Sequence, residues 1–80
     1  MGHESKDALV FYTKPDCPLC DKAWPVAARV AERTRLELLR VDISGDPALL
    51  TQHGERIPVL ELGGETLGWG RLSERAIDRR

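Results

Sequence analysis

The stretch "ALVFYT", Ala8–Thr13, is apolar, β-branched or aromatic throughout. A run with no polar alternation fits a strand covered on both faces, as at the centre of a sheet packed between helices. From Pro18 to Thr34 the period becomes helical. Ala23, Val26, Ala27 and Val30 share one side of this segment, and Lys22, Arg29, Glu32 and Arg33 share the other. "LELLRVDI", residues 36–43, returns to alternation and predicts a second strand, with Leu39, Val41 and Ile43 inward and Arg40 and Asp42 outward. A strand, a long helical crossover and a second strand imply a parallel pair with a right-handed connection.

Further on, "SGDPALLTQHG" supplies Asp46 as a helix N-cap, Pro47 at the first helical position and Gly54 as a left-handed stop. His53, beside that stop, is expected to be a solvated imidazole suited to the negative end of the helix dipole. "PVLEL", residues 58–62, and "ETLGW", Glu65–Trp69, read as two short antiparallel strands, with Gly63 and Gly64 free to take the positive φ values of a tight hairpin. Ser73 is placed to cap a last short helix running to Arg79, with Glu74 near its positive end. The predicted order is β-α-β-α-β-β-α, an α/β fold with a four-stranded mixed sheet flanked by helices.

Composition narrows the class. A chain of 80 residues with 41% hydrophobic and 31% charged content describes one small soluble domain. The polar residues 1–7 read as a flexible tail ahead of a single domain over 8–80. A formal net charge of −1 excludes the basic footprint that a nucleic-acid partner requires. The apolar run at residues 8–12 is too short for a signal-peptide core or a membrane span, which points to a cytoplasmic protein with no membrane partner. In that setting the chain's two cysteines, Cys17 and Cys20, indicate redox chemistry or metal binding and not a secreted disulfide scaffold.

Three motifs then carry a resemblance. "KPDCPLC" at 14–20 lies between the buried strand and the amphipathic helix, "RIPVL" at 56–60 enters a later strand, and "LGWG" follows at 67–70. With these motifs in this order, the chain resembles the glutaredoxin and thioredoxin families, most closely the small glutaredoxin-like proteins of bacteria. The resemblance implies a thioredoxin-like fold in which Cys17 and Cys20 exchange a disulfide with a partner. It also implies a cis peptide bond before Pro58, beside the dithiol, leaving the backbone of Ile57 to pair with an extended substrate segment. Pro25, inside the first helix, corresponds to a proline that thioredoxins place at the same distance beyond the second cysteine; a kink is expected there and no catalytic part.

The residues support thiol chemistry on their own terms. Exchange needs a thiolate, and an ordinary thiol with pKa about 8.5 supplies only a few per cent of it near neutral pH. A helix beginning at Cys17, with Pro18 in the first position, aims unpaired amides and the positive end of the dipole at the Cys17 sulfur. Lys14 adds positive charge, while Asp16 and Asp21 oppose the anion unless they face solvent. Cys20 falls on the buried stripe of Ala23 and Ala27, so attack is assigned to Cys17 and release of the mixed disulfide to Cys20. Lys14, Ile57, Pro58 and Trp69 form the expected substrate-binding set.

The substrate class is set by departures from the relatives. Glutathione-binding glutaredoxins open their last helix with Gly-Gly, a small residue and an aspartate; here the run is "GWGRLS", residues 68–73, with Trp69 and Arg71 in place of a glycine and an acidic residue. The "WCGPC" signature of thioredoxins is also missing. The leading expectation is a dithiol-disulfide oxidoreductase acting on protein or glutathione mixed disulfides, with a monomer as the default oligomeric state. It would carry no bound cofactor, with glutathione or a reductase system as the source of electrons. The alternatives are a non-catalytic binding module of the same fold and a metal or shared iron-sulfur site. An internal zinc site would have to draw on Cys17, Cys20, His3 and His53.

Overall fold

A computed structural model describes residues 8–73. Within them the chain forms β1 (Ala8–Thr13), α1 (Pro18–Thr34), β2 (Glu37–Asp42), α2 (Pro47–His53), β3 (Val59–Leu62) and β4 (Glu65–Trp69). The sheet order is β2-β1-β3-β4. β1 runs parallel to β2 and antiparallel to β3, and β3 is antiparallel to β4, so the sheet is mixed as expected. The tail over 1–7 and the helix expected from Ser73 onward lie outside the described residues.

Register assigns the two faces. Phe11 pairs with Leu60 across β1 and β3, and with Arg40 across β1 and β2. Side chains paired directly across a ladder share a face, so Leu9, Phe11, Leu60 and Leu62 stand together. α1 covers them with the stripe Cys20, Ala23, Ala27, Val30 and Ala31, all buried. Trp24 meets Phe11 edge-on, centroids 5.1 Å apart, and its own ring lies 4.9 Å from the Arg40 guanidinium carbon. The small alanines let helix and sheet approach closely, and the fully buried Leu9, Phe11, Ile43 and Leu60 fill the space between them.

The opposite face carries Tyr12 and Val59, in register with each other. α2 closes over it, its His53 ring stacked on Tyr12 with centroids 4.3 Å apart. α2 starts as predicted, with the Asp46 side chain accepting from the backbone N–H groups of Ala48 and Leu49. Its end differs from the expectation: Gly54 is right-handed, at φ −54 and ψ −34. Glycine is needed there for space, because a Cβ would collide with the carbonyl oxygen of Leu50. The left-handed residues are elsewhere. Gly63 and Gly64 turn the β3–β4 hairpin as anticipated, whereas Arg35, at φ 61, closes α1 with its N–H directed at the carbonyls of Ala31 and Glu32.

Two burial expectations are corrected. Leu39 is exposed on β2, because that strand lies at the edge of the described sheet. Ile43, one residue past β2, is fully buried. His53 is buried against Tyr12 and not solvated, since α2 packs its C-terminal end onto the sheet. α1 continues unbroken through Pro25.

Candidate active site

Both cysteines sit where β1 hands over to α1. Thr13 ends the strand inside the core, the exposed loop 14–16 follows, and Asp16 takes a left-handed φ of 57 that turns the chain back into the helix. Aspartate tolerates this conformation better than a β-branched or bulky residue. Cys17 is then the N-cap of α1 in extended conformation, with Pro18 at the first helical position. The Asp21 N–H donates to the Cys17 carbonyl at 3.0 Å, and the Cys20 N–H donates to Cys17 Sγ at 3.1 Å. The sulfur therefore occupies the place that a serine or aspartate oxygen takes in an ordinary capped helix.

Cys17 and Cys20 are joined as a disulfide, with their Cα atoms 5.2 Å apart. The two sulfurs differ in setting, because Cys20 lies on the buried stripe at 2% exposure and Cys17 at the loop junction at 9%. Asp16 and Asp21 are both exposed. Lys14 is exposed on the loop leading to Cys17. The Ile57–Pro58 peptide is cis, and both residues are buried ahead of β3. Among the described residues no backbone hydrogen bond engages Ile57, while the neighbouring carbonyls of Arg56 and Pro58 both accept from the Gly70 N–H, at 3.0 and 2.8 Å.

Trp69 stands apart from this group. Its register opposite Val59 puts it on the face of Tyr12 and His53, away from α1, although at the same end of the sheet. There its ring lies 5.5 Å from the Arg56 guanidinium carbon, and the two line a polar cavity of about 170 Å³ with Gln52, His53, Glu61 and Thr66. The Glu61 carboxylate accepts from the Tyr12 hydroxyl at 3.2 Å, and its other oxygen lies 3.8 Å from His53 Nε2, beyond hydrogen-bond range. Burial, followed by the proximity of Glu61, raises the Tyr12 hydroxyl above its ordinary value. Sequence reading did not bring this cluster together; the alternation of Tyr12 and Glu61 toward one face was its only signal. Among the described residues no group of three or more His, Cys, Asp or Glu side chains converges as a metal site. No described helix is long and apolar enough to cross a membrane.

A cysteine-capped helix that follows a central strand of a β2-β1-β3-β4 mixed sheet, in a chain with a cis-proline just ahead of β3, defines an α/β protein of the thioredoxin-like class. Comparison with known proteins agrees and is narrower. The profile of the Glutaredoxin-like domain (DUF836) family matches residues 8–80, and the chain belongs to that family. Among solved structures, it is similar to the solution NMR structure of protein Ne2328 from Nitrosomonas europaea. The two are 23% identical, with a TM-score of 0.75 over 99% of this chain and 96% of that one. No curated protein matches significantly.

Proposed function

We propose that this chain is a dithiol-disulfide oxidoreductase in which Cys17 attacks and Cys20 resolves. The observation that carries the reading is the capping geometry, with Cys17 Sγ held 3.1 Å from the Cys20 amide nitrogen at the start of α1. In the reduced protein that N–H and the helix dipole favour the anion over the thiol. The Cys17 thiolate attacks one sulfur of a substrate disulfide, forming a mixed disulfide, and the first substrate sulfur leaves as a thiolate that takes a proton from water. Cys20 then gives up its proton and attacks Cys17 Sγ. The second substrate thiolate leaves, and the Cys17–Cys20 disulfide forms. Two electrons and two protons have passed to the substrate, and an external thiol reductant must return them.

The binding residues take parts that fit their positions. The backbone of Ile57, which has no backbone hydrogen bond among the described residues, pairs with an extended substrate chain as an added strand does. Lys14 offers a cation to a substrate carboxylate on the loop before the attacking sulfur. Trp69, on the other face, is left outside the exchange step. Protein disulfides and glutathione mixed disulfides are the substrate classes, and glutathione or a flavoprotein reductase the reductants.

The test is chemical trapping. A Cys20→Ser variant lacks the resolving sulfur and is expected to accumulate a mixed disulfide at Cys17 when given a disulfide substrate, visible by mass as one adduct per chain. A Cys17→Ser variant should accumulate far less. Absence of any adduct on Cys17 overturns the proposal. Coupling the oxidised protein separately to glutathione with its reductase and to thioredoxin reductase, and following NADPH, then identifies the electron donor.

A further inference from the structure

The oxidoreductase reading leaves the sequence around a substrate cysteine unspecified, and a groove next to the dithiol bears on it. This groove, about 300 Å³, is lined by Leu19, Lys22, Ala23, Arg71 and Leu72. It starts at Leu19, the residue between Pro18 and Cys20, and continues along α1 to Lys22 and Ala23, which share a helix side with Leu19 at spacings of three and four. The other wall is the segment that leaves β4. Leu19, Ala23 and Leu72 give it an apolar floor, and Leu19 is exposed.

The charge of its described lining is of one sign. Lys22 and Arg71 are both exposed, and neither has an ion-pair partner among the described residues. Among the described residues no carboxylate lines the groove, and Asp21, one position before Lys22, is not part of its lining. Two cations over an apolar floor suit a segment bearing an apolar side chain and a carboxylate, and disfavour one bearing lysine or arginine. The position along the chain can also be estimated. Lys22 is five residues past Cys17, or about 7.5 Å along the helix axis at about 1.5 Å per residue. An extended peptide covers this in two to three residues at about 3.3 Å each.

We propose that this groove selects protein disulfides in which an acidic residue lies two or three positions from the reacting cysteine. Lys22 and Arg71 receive the carboxylate, and Leu19 and Leu72 receive the apolar residue beside it. The inference rests on the oxidoreductase reading and adds the class of protein substrate.

The test uses reduced full-length protein and two synthetic peptide disulfides, identical except for Asp-Glu or Lys-Lys at the second and third positions from the cysteine. At low ionic strength the acidic peptide is expected to release its thiol about tenfold faster. The ratio should fall toward unity near 1 M salt, where the screening length is about 3 Å. In a Lys22→Glu/Arg71→Glu variant the preference should invert, with circular dichroism confirming the fold. If that variant does not fold, Lys22→Gln and Arg71→Gln carry the test singly, each expected to lower the ratio about threefold. Equal wild-type rates with the two peptides overturn the proposal, as does a preference that neither salt nor these variants change. Failure of the wild type to react with either peptide or with a neutral low-molecular-weight disulfide overturns the oxidoreductase reading itself, a separate outcome.

Discussion

Replacing Cys20 by proline and, separately, by alanine isolates one hydrogen bond. Both variants leave Cys17 as the sole thiol of the chain. Alanine keeps the backbone N–H that donates to Cys17 Sγ, and proline removes it. Position 20 is the third residue of α1, within the first turn, where proline is tolerated. A hydrogen bond to a charged group contributes about 1.5–3 kcal/mol. The diffuse sulfur acceptor, 3.1 Å away, places this one at the lower end, and about 1.5 kcal/mol corresponds to a roughly tenfold change in the thiolate-to-thiol ratio. The helix dipole contributes a further 0.3–1 kcal/mol or so in both variants. Alkylation by iodoacetamide as a function of pH reads the thiolate directly. The alanine variant should titrate below the ordinary thiol value of about 8.5, and the proline variant about one unit higher than the alanine variant. Coincident curves with α1 intact by circular dichroism would refute the assignment of the Cys20 N–H, and an alanine variant titrating at the ordinary value would refute the whole electrostatic argument.

Three further outcomes follow from geometry away from the dithiol. Tyr12 is the chain's single tyrosine, so absorbance titration reports it alone; Glu61→Gln should lower its midpoint while burial keeps it above 10.0. Since the folded chain holds that proton more tightly than the unfolded one, Tyr12 contributes stability fully below pH 10 and loses it as pH rises through the folded value; alkaline denaturation should be less steep in Glu61→Gln. Asp46→Ala removes the side-chain acceptor for the Ala48 and Leu49 N–H groups and should cost about 1 kcal/mol in urea unfolding. Phe11→Ala empties the fully buried contact with Trp24 and should cost about 3–5 kcal/mol, a large share of the roughly 4–12 kcal/mol expected for 80 residues. A loss under about 1 kcal/mol would show that α1 is held by other contacts.

Local patterning made the sheet and both described helices legible, because each element's buried stripe matches its own period. Pro18, Asp46, Gly63 and Gly64 marked starts and turns through backbone chemistry that acts within a few residues. What escaped was set by distant parts of the chain. Leu39 has the pattern of a buried strand residue, but its exposure depends on β2 being an edge, a property of sheet order. His53 has the composition of a solvated cap, yet α2 presses it onto Tyr12 across the sheet. Arg35 takes a left-handed conformation with no glycine to announce it, since the end of α1 is fixed by the bond to Ala31 and not by intrinsic preference. At the site, the deeper burial of Cys20 than of Cys17 was readable from the helical stripe it shares with Ala23 and Ala27, whereas the place of Trp69 on the far face required the register of β3 and β4.

The placing of β2 at the border of the sheet has an effect on how this molecule behaves in a crowd. Among the described residues no strand pairs with its outer rim, the sort of ledge on which a foreign chain can grow. Glu37, Arg40 and Asp42 punctuate that ledge with alternating charge, and none of them is buried. A strand arriving there must bring matching ions or leave its own hydrophobic side chains beside them, so self-stacking is discouraged on the side of the sheet furthest from β4.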